Sequence, residues 1–225
     1  MNGESGSLPL FMTRENKYSV GIVLYLTAAV LYLSSNHFNF FSPQLLPMTP
    51  VDSRIPLLPY TVWVYLSETL FFAVAYSTAK NTLNLNKYFY SFLALQVLSV
   101  LIFCLWPTTY PREQFPLPES LDALTYYAFA SLRQVDTPAN CCPSLHVSSV
   151  ILTSFLFLDE QKKKFPFFFL WAAAIAVATL TTKQHYLIDV VTGFFMATIL
   201  YWVFHRIIAY RPIDFTASLA RQAKR

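Results

Sequence analysis

Apolar runs long enough to cross the roughly 30 Å hydrocarbon core of a bilayer recur along this 225-residue chain, and they limit its fold more than any other feature. In lipid every backbone N–H and C=O has to be bonded within the protein, which leaves helices or a closed barrel as the possible spanning structures. Runs approaching 20 residues select helices. Composition agrees: charged residues make up 12% of the chain and apolar residues 55%, against about 25% charged in soluble proteins. The expected fold class is an all-α polytopic membrane protein, with no nucleic-acid partner.

The runs place six transmembrane helices at about 18–35, 60–78, 88–106, 144–158, 167–182 and 187–208. They form a membrane domain over 18–208, between an N-terminal segment, 1–17, and a basic tail, 209–225. Residues 1–17 lack the small-residue cleavage site of a signal peptide, so the first span is expected to stay in place. The loop between the third and fourth spans, about 107–143, is the longest. In it Leu121, Leu124, Ala128 and Leu132 recur at helical spacing after Ser120, which predicts an interfacial helix capped by that serine. All but four of the 16 basic residues fall on the side shared by the two termini, which the positive-inside rule makes cytoplasmic. The four exceptions, Arg54, Arg112, Arg133 and Lys183, lie on the periplasmic, extracellular or lumenal face. A face that should be poor in cations keeps these, as an anion site would require.

Of the four histidines, two occur in marked stretches on that face: Pro143-Ser144-Leu145-His146 and His185-Tyr186-Leu187-Ile188-Asp189. At 1.5 Å per residue the fourth helix descends and the fifth climbs by about 24 Å, which returns His146 and His185 to one depth on neighbouring helices. His37 and His205 are expected to be interfacial side chains. Glu68 falls within the second span, where a charge is costly and therefore functional by default. Its position, about 15 Å from the outer face by helical rise, favours a hydrogen-bonded structural role instead. Asp52 and Arg54 are read either as an interface ion pair or as members of the site. Cys104, Cys141 and Cys142 have no metal-ligand spacing and are expected to pack.

A phosphate ester needs cations and N–H donors for its oxygens, a nucleophile for phosphorus and an acid for the leaving oxygen. Pro143-Ser144 opening a helix offers N–H groups, a hydroxyl and the positive end of the dipole. His185 fits the nucleophile, Asp189 one turn on would fix its tautomer, and His146 fits the acid. Arg112, Lys183 and Arg133 are the candidate phosphate-binding cations, with Ser144. A neutral base and a protonated acid together imply a bell-shaped pH profile.

These motifs resemble the type 2 phosphatidic acid phosphatase superfamily: Pro143-Ser144-Leu145-His146 is similar to its Pro-Ser-Gly-His motif, and His185 with Asp189 to the His-x-x-x-Asp end of its third motif. The resemblance implies a phosphohistidine at His185, orientation by Asp189, protonation of the leaving group by His146, phosphate binding by Ser144, and no metal or cofactor. The chain departs from the pattern at Leu145, which replaces the motif glycine. It departs also at Ala178 and Thr179, where the family has Ser-Arg, and in lacking the first motif as such. Lys183 is the nearest substitute cation for the third motif, and Arg112, then Arg133, for the first. The departures bring the chain closer to the branch of sphingomyelin and inositol-phosphoceramide synthases.

Two activities therefore stay open. One is hydrolysis of a lipid phosphomonoester or diphosphate, of the phosphatidic acid, phosphatidylglycerophosphate or isoprenyl diphosphate type. The other is transfer of a phospho-head-group to a ceramide- or diacylglycerol-type acceptor. A non-catalytic lipid-binding or transport protein is a further reading, though the spans lack mid-depth Gly and Pro breaks. A metal or haem redox protein using His146 and His185 would need more histidines on this face. Oligomeric state is left open.

Overall fold

A computed structural model describes residues 7–38 and 40–212; the part of the expected basic tail from 213 onward lies outside them. Strand β1 (Leu8–Leu10) precedes α1 (Lys17–His37); β2 (Gln44–Leu45) and α2 (Pro50–Arg54) follow in the first loop. Helices α3 (Val62–Leu66) and α4 (Glu68–Thr78) meet at Ser67, and α5 runs over Thr82–Leu105. After β3 (Thr108–Thr109) come α6 (Ala123–Val135), α7 (Leu145–Ser154) and α8 (Leu156–Glu160), then α9 (Phe165–Thr181), α10 (Leu187–Trp202) and β4 (Tyr210–Pro212). The protein is mostly helical.

Three helical runs, Lys17–His37, Thr82–Leu105 and Leu187–Ile207, are long and apolar enough to cross a membrane. In the last, α10 passes into a π-helical turn over Val203–Ile207. Helix α9 is apolar but shorter, at 17 residues. The remaining expected spans are helical but interrupted: α3 and α4 part at Ser67, and α7 and α8 at Phe155. Outward-facing Ile22, Val23, Leu26 and Val30 of α1 are each more than half exposed, an apolar surface that water would penalise and lipid would solvate.

Helix α7 is the centre of the bundle, touching α4, α5, α9 and α10. Every residue on it except His146 is buried. Its polar side chains turn back on the helix: Ser148 donates to the Leu145 carbonyl at 3.1 Å, Thr153 to Ser149 at 2.7 Å and Ser154 to Ile151 at 2.7 Å. Each hydroxyl is thereby satisfied without water. Gly193 of α10 lets that helix approach α7 closely, since a Cβ there would stand 2.6 Å from the Ser144 carbonyl oxygen.

Several sequence expectations need correction. Two short parallel pairings, β1 with β4 and β2 with β3, qualify the all-α description. They form where extended loop backbone has donors free to pair. The helix in the long loop is capped by Asp122, which accepts from Thr125 N at 3.0 Å, and not by Ser120. The connection between the expected second and third spans, about 79–87, is shorter, because Asn81 caps α5 through Leu83 N and Asn84 N and Lys87 lies within the helix. His205 is buried and not interfacial; its Nδ1 lies 3.8 Å from Asp159.

Candidate functional site

The site assembles where the start of α7, the start of α10 and the end of α9 meet. Helix α9 closes with a Schellman motif: Lys183 N bonds Leu180 O at 3.2 Å and Gln184 N bonds Thr179 O at 3.0 Å. Lys183 occupies the left-handed position of this motif, φ 57°, where glycine is usual. Its side chain is tied down in compensation. Nζ donates to the carbonyls of Asp52 at 3.2 Å and Ile55 at 2.5 Å and lies 4.8 Å over the Phe115 ring. Burial lowers the Lys183 pKa, and the charge of Asp52 partly opposes this.

That turn delivers His185. Its Nδ1 lies 3.3 Å from Asp189 Oδ2, and Asp189 has no exposed surface. The same oxygen accepts from Tyr186 N at 2.9 Å, which holds the carboxylate in the first turn of α10. With Asp189 ionised, Nδ1 of His185 carries the hydrogen and Nε2 the lone pair. Asp52 fastens the same helix start from outside, its Oδ1 accepting from Leu187 N at 2.7 Å. Burial alone would raise the Asp52 pKa; the Thr49 hydroxyl and the N–H groups of Leu187 and Thr49 outweigh it and hold the carboxyl below its usual value. The ion pair considered for Asp52 and Arg54 does not form: among the described residues the Asp52 carboxylate bonds Thr49 and Leu187, and Arg54 is exposed.

Ser144 caps α7, accepting from Val147 N at 3.3 Å, while its own N–H donates to Asp189 O at 2.9 Å. Its hydroxyl is fully buried. The helix start and the His185 turn are thus bonded directly to each other. His146 follows, its ring centroid 6.1 Å from that of His185. Its Nδ1 lies 2.7 Å from Glu68 Oε2, and its Nε2 faces the Tyr32 hydroxyl at 3.5 Å and Asp136 Oδ2 at 3.9 Å. Tyr65 flanks the ring at a centroid distance of 4.9 Å.

Glu68 therefore meets the imidazole directly. Asp136 and Tyr32 had no part in the sequence reading as site members. Asp136 lay in the longest loop, before the first motif but outside it, and nothing distinguishes Tyr32 among the chain's 14 tyrosines.

Asp136 also receives Arg112. The guanidinium donates through Nη1 to the Asp136 carbonyl and through Nη2 to Oδ2 at 3.4 Å, and Tyr32 donates to Oδ1. Burial would raise the Asp136 carboxyl, but hydrogen bonding with His146 and the charge of Arg112 outweigh it and hold the group well below the usual carboxylate range. Among the described residues Arg112 Nε is buried with no partner, a donor that an incoming oxygen would satisfy. Arg133 is turned elsewhere, donating to Phe115 O at 2.9 Å and lying 4.8 Å over Phe129. The structure thus brings His146, His185, Asp189, Ser144 and Arg112 into one neighbourhood. Lys183 and Arg133 instead bond loop carbonyls.

Cys141 and Cys142 are buried free thiols, packed as expected. Among the described residues no group of three or more His, Cys, Asp or Glu is arranged to hold a metal ion.

No curated protein matches this chain significantly. A family model does: that of the PAP2 superfamily matches residues 37–203, a stretch that takes in both histidine motifs, Glu68, Arg112 and Asp136, and the chain belongs to that superfamily.

Proposed function

We propose that this protein is an integral-membrane lipid phosphatase that acts through a phosphohistidine at His185. The observation that carries the reading is the pair of imidazoles 6.1 Å apart, each with Nδ1 set against a carboxylate, Asp189 for one and Glu68 for the other. Such a pairing leaves Nε2 of His185 for phosphorus, while Nε2 of His146, which faces the Tyr32 hydroxyl at 3.5 Å and Asp136 Oδ2 at 3.9 Å, would turn its proton to a leaving oxygen.

In this reading His185 Nε2 attacks phosphorus as the bond to the lipid alcohol breaks. The leaving oxygen takes the proton of His146, so the alcohol departs neutral. Water then attacks the phosphohistidine, giving its proton to His146. The N–P bond breaks, phosphate leaves and both histidines return to their starting states. Arg112 and the Ser144 helix start offset the charge that grows on the phosphoryl oxygens. Glu68 and Asp136 act as positioning residues for His146. No metal is required.

The accompanying topology has six crossings, with α3–α4, α7–α8 and α9 completing the three longer helices. Helix α6 lies at the interface, and the site opens on the non-cytoplasmic face. A second reading, transfer of the phosphoryl head group to a lipid alcohol, is favoured by Leu145 in Pro-Ser-Leu-His and differs only in the acceptor of the second step.

The test is phosphate release from lipid phosphates and diphosphates by purified protein in detergent with EDTA, alongside His185→Ala. Release that survives the chelator and disappears in the variant supports the phosphatase. Absence of release, with head-group transfer from a phospholipid to a ceramide or diacylglycerol, supports the second reading. Neither activity would overturn both.

A further inference from the structure

Two cavities of about 320 and 310 Å³ lie end to end between α1 and α4. Tyr25, Thr69, Phe72 and Phe92 belong to the walls of both, so the two form one crevice with a waist. Its ends differ. One has Tyr76 in its wall, whose hydroxyl donates to Lys17 O at 2.7 Å, with Lys17 Nζ donating to Ala79 O at 3.1 Å. The other reaches His146, Glu68, Asp136 and Tyr32. Between the ends the lining is mainly aromatic and aliphatic, and α4 presents the short side chains of Thr69, Ala73 and Ser77 one turn apart.

From Tyr32 to Tyr18 the crevice follows α1 for about 21 Å at 1.5 Å per residue. Half of a bilayer's hydrocarbon core is about 15 Å. A lipid chain of one leaflet fits within that length. Val23 and Val30, exposed on α1, face the surroundings from which such a chain would enter sideways.

We propose that this crevice holds a hydrocarbon chain of the substrate, with the oxygen joining lipid to phosphorus placed at His146. The assignment rests on the function proposed above, and the chemistry gives it a direction. In-line displacement sets the attacking and leaving atoms on opposite sides of phosphorus. With His185 attacking, the lipid alcohol leaves toward His146, and the crevice starts there. His146 is in its wall and His185 is not. The substrate class that follows is a lipid whose long chain is on the leaving-oxygen side. The finite length of the crevice from His146 to Tyr76 makes chain length a determinant of specificity.

The test compares kcat/KM for long-chain and short-chain lipid monophosphates in the parent, in Ala73→Phe, which narrows the crevice, and in Leu70→Phe. Leu70 is exposed on the same helix outside the crevice walls, so it controls for added bulk. Ala73→Phe should lower kcat/KM for the long-chain substrate at least tenfold and leave the short-chain value within about twofold; Leu70→Phe should change neither. Equal loss on both substrates, or no loss, would overturn the assignment. A second measurement does not need turnover: photolabelling of the parent by a lipid monophosphate with a diazirine midway along its chain, mapped by mass spectrometry. Labelling concentrated at Tyr25, Thr69, Phe72 and Ala73 supports the crevice even if no phosphate is released, in which case the phosphatase reading alone fails. Labelling spread evenly over lipid-facing positions such as Leu70 and Val23 overturns the crevice even in an active enzyme.

Discussion

His185 and His146 stand 6.1 Å apart but are held by different kinds of structure. His185 takes its carboxylate from its own segment, four residues on, and the turn before it is a helix-terminating motif complete within residues 179–184. His146 takes its partners from elsewhere in the chain: Glu68 from α4, Asp136 from beyond α6, Tyr32 from α1. The first arrangement is a local motif that packing merely places. The second exists only when four separate segments have docked. A local motif tolerates distant changes, whereas an assembled one registers strain from any of its contributors.

The largest expected effect is at the proposed nucleophile. His185→Ala should abolish turnover, a fall of about 10⁴-fold or more by the scale of nucleophile removal in other hydrolases, and should remove any acid-labile phosphoryl label on the protein. Full activity in that variant would end the phosphohistidine reading. Next is Asp136→Asn, which leaves Arg112 buried without its charged partner; loss of about 3–5 kcal/mol of stability is expected from such uncompensated burial, read as a lowered thermal midpoint in detergent. The comparison then demands that Asp189→Asn mainly lower kcat, and that Asp136→Asn lower stability and kcat together. The reverse pattern would break it.

The pH dependence of stability sharpens the same point. The Asp136 carboxyl is held well below the usual carboxylate range by hydrogen bonding and Arg112, against the opposing effect of burial. A depressed value means that its stabilisation is fully present above the unfolded-state pKa near 4 and is lost as pH falls through the lower folded-state value. Thermal stability of the parent relative to Asp136→Asn should therefore hold constant from neutral to mildly acidic pH and narrow only in strong acid. A gap that closes between pH 6 and 7 would assign the effect to another group.

Smaller effects belong to the scaffold. Gly193→Ala forces a Cβ to within 2.6 Å of the Ser144 carbonyl and should cost about 1–3 kcal/mol as overpacking. It should lower kcat as well, because that contact sets α10 against α7. Asp122→Ala removes the cap of α6 and should cost about 1 kcal/mol, with kcat nearly unchanged because the cap is remote from both histidines.

The same contrast explains what could be read from the chain in advance. The pairing of His185 with Asp189 follows from helical spacing, and the meeting of His146 with His185 from counting rise down one helix and up the next. Helical character and membrane residence follow from the length of the apolar runs. The environment of His146 does not, because its partners are joined to it only by tertiary packing. Helical rise alone suggested a structural role for Glu68 and could not show that its carboxylate meets His146. Charge bookkeeping marked Arg112, Arg133 and Lys183 as one group, but their side chains diverge: Arg112 bonds Asp136, while Lys183 and Arg133 bond loop carbonyls. Sequence position identifies a cation on the right face without identifying its partner.

The tie between Lys183 and the 52–55 segment has a consequence for the order in which the protein is made. Its two halves are separated by about 130 residues, roughly ten seconds of synthesis at typical elongation rates. Until the fifth helical run has emerged, the carbonyls of Asp52 and Ile55 have no ammonium to accept, and until α10 follows, the Asp52 carboxylate has no helix start to hold. The nascent chain thus carries His146, the proposed acid, before the turn that positions His185, the proposed nucleophile, can lock. On the proposed mechanism, a chain halted before α10 would be inert.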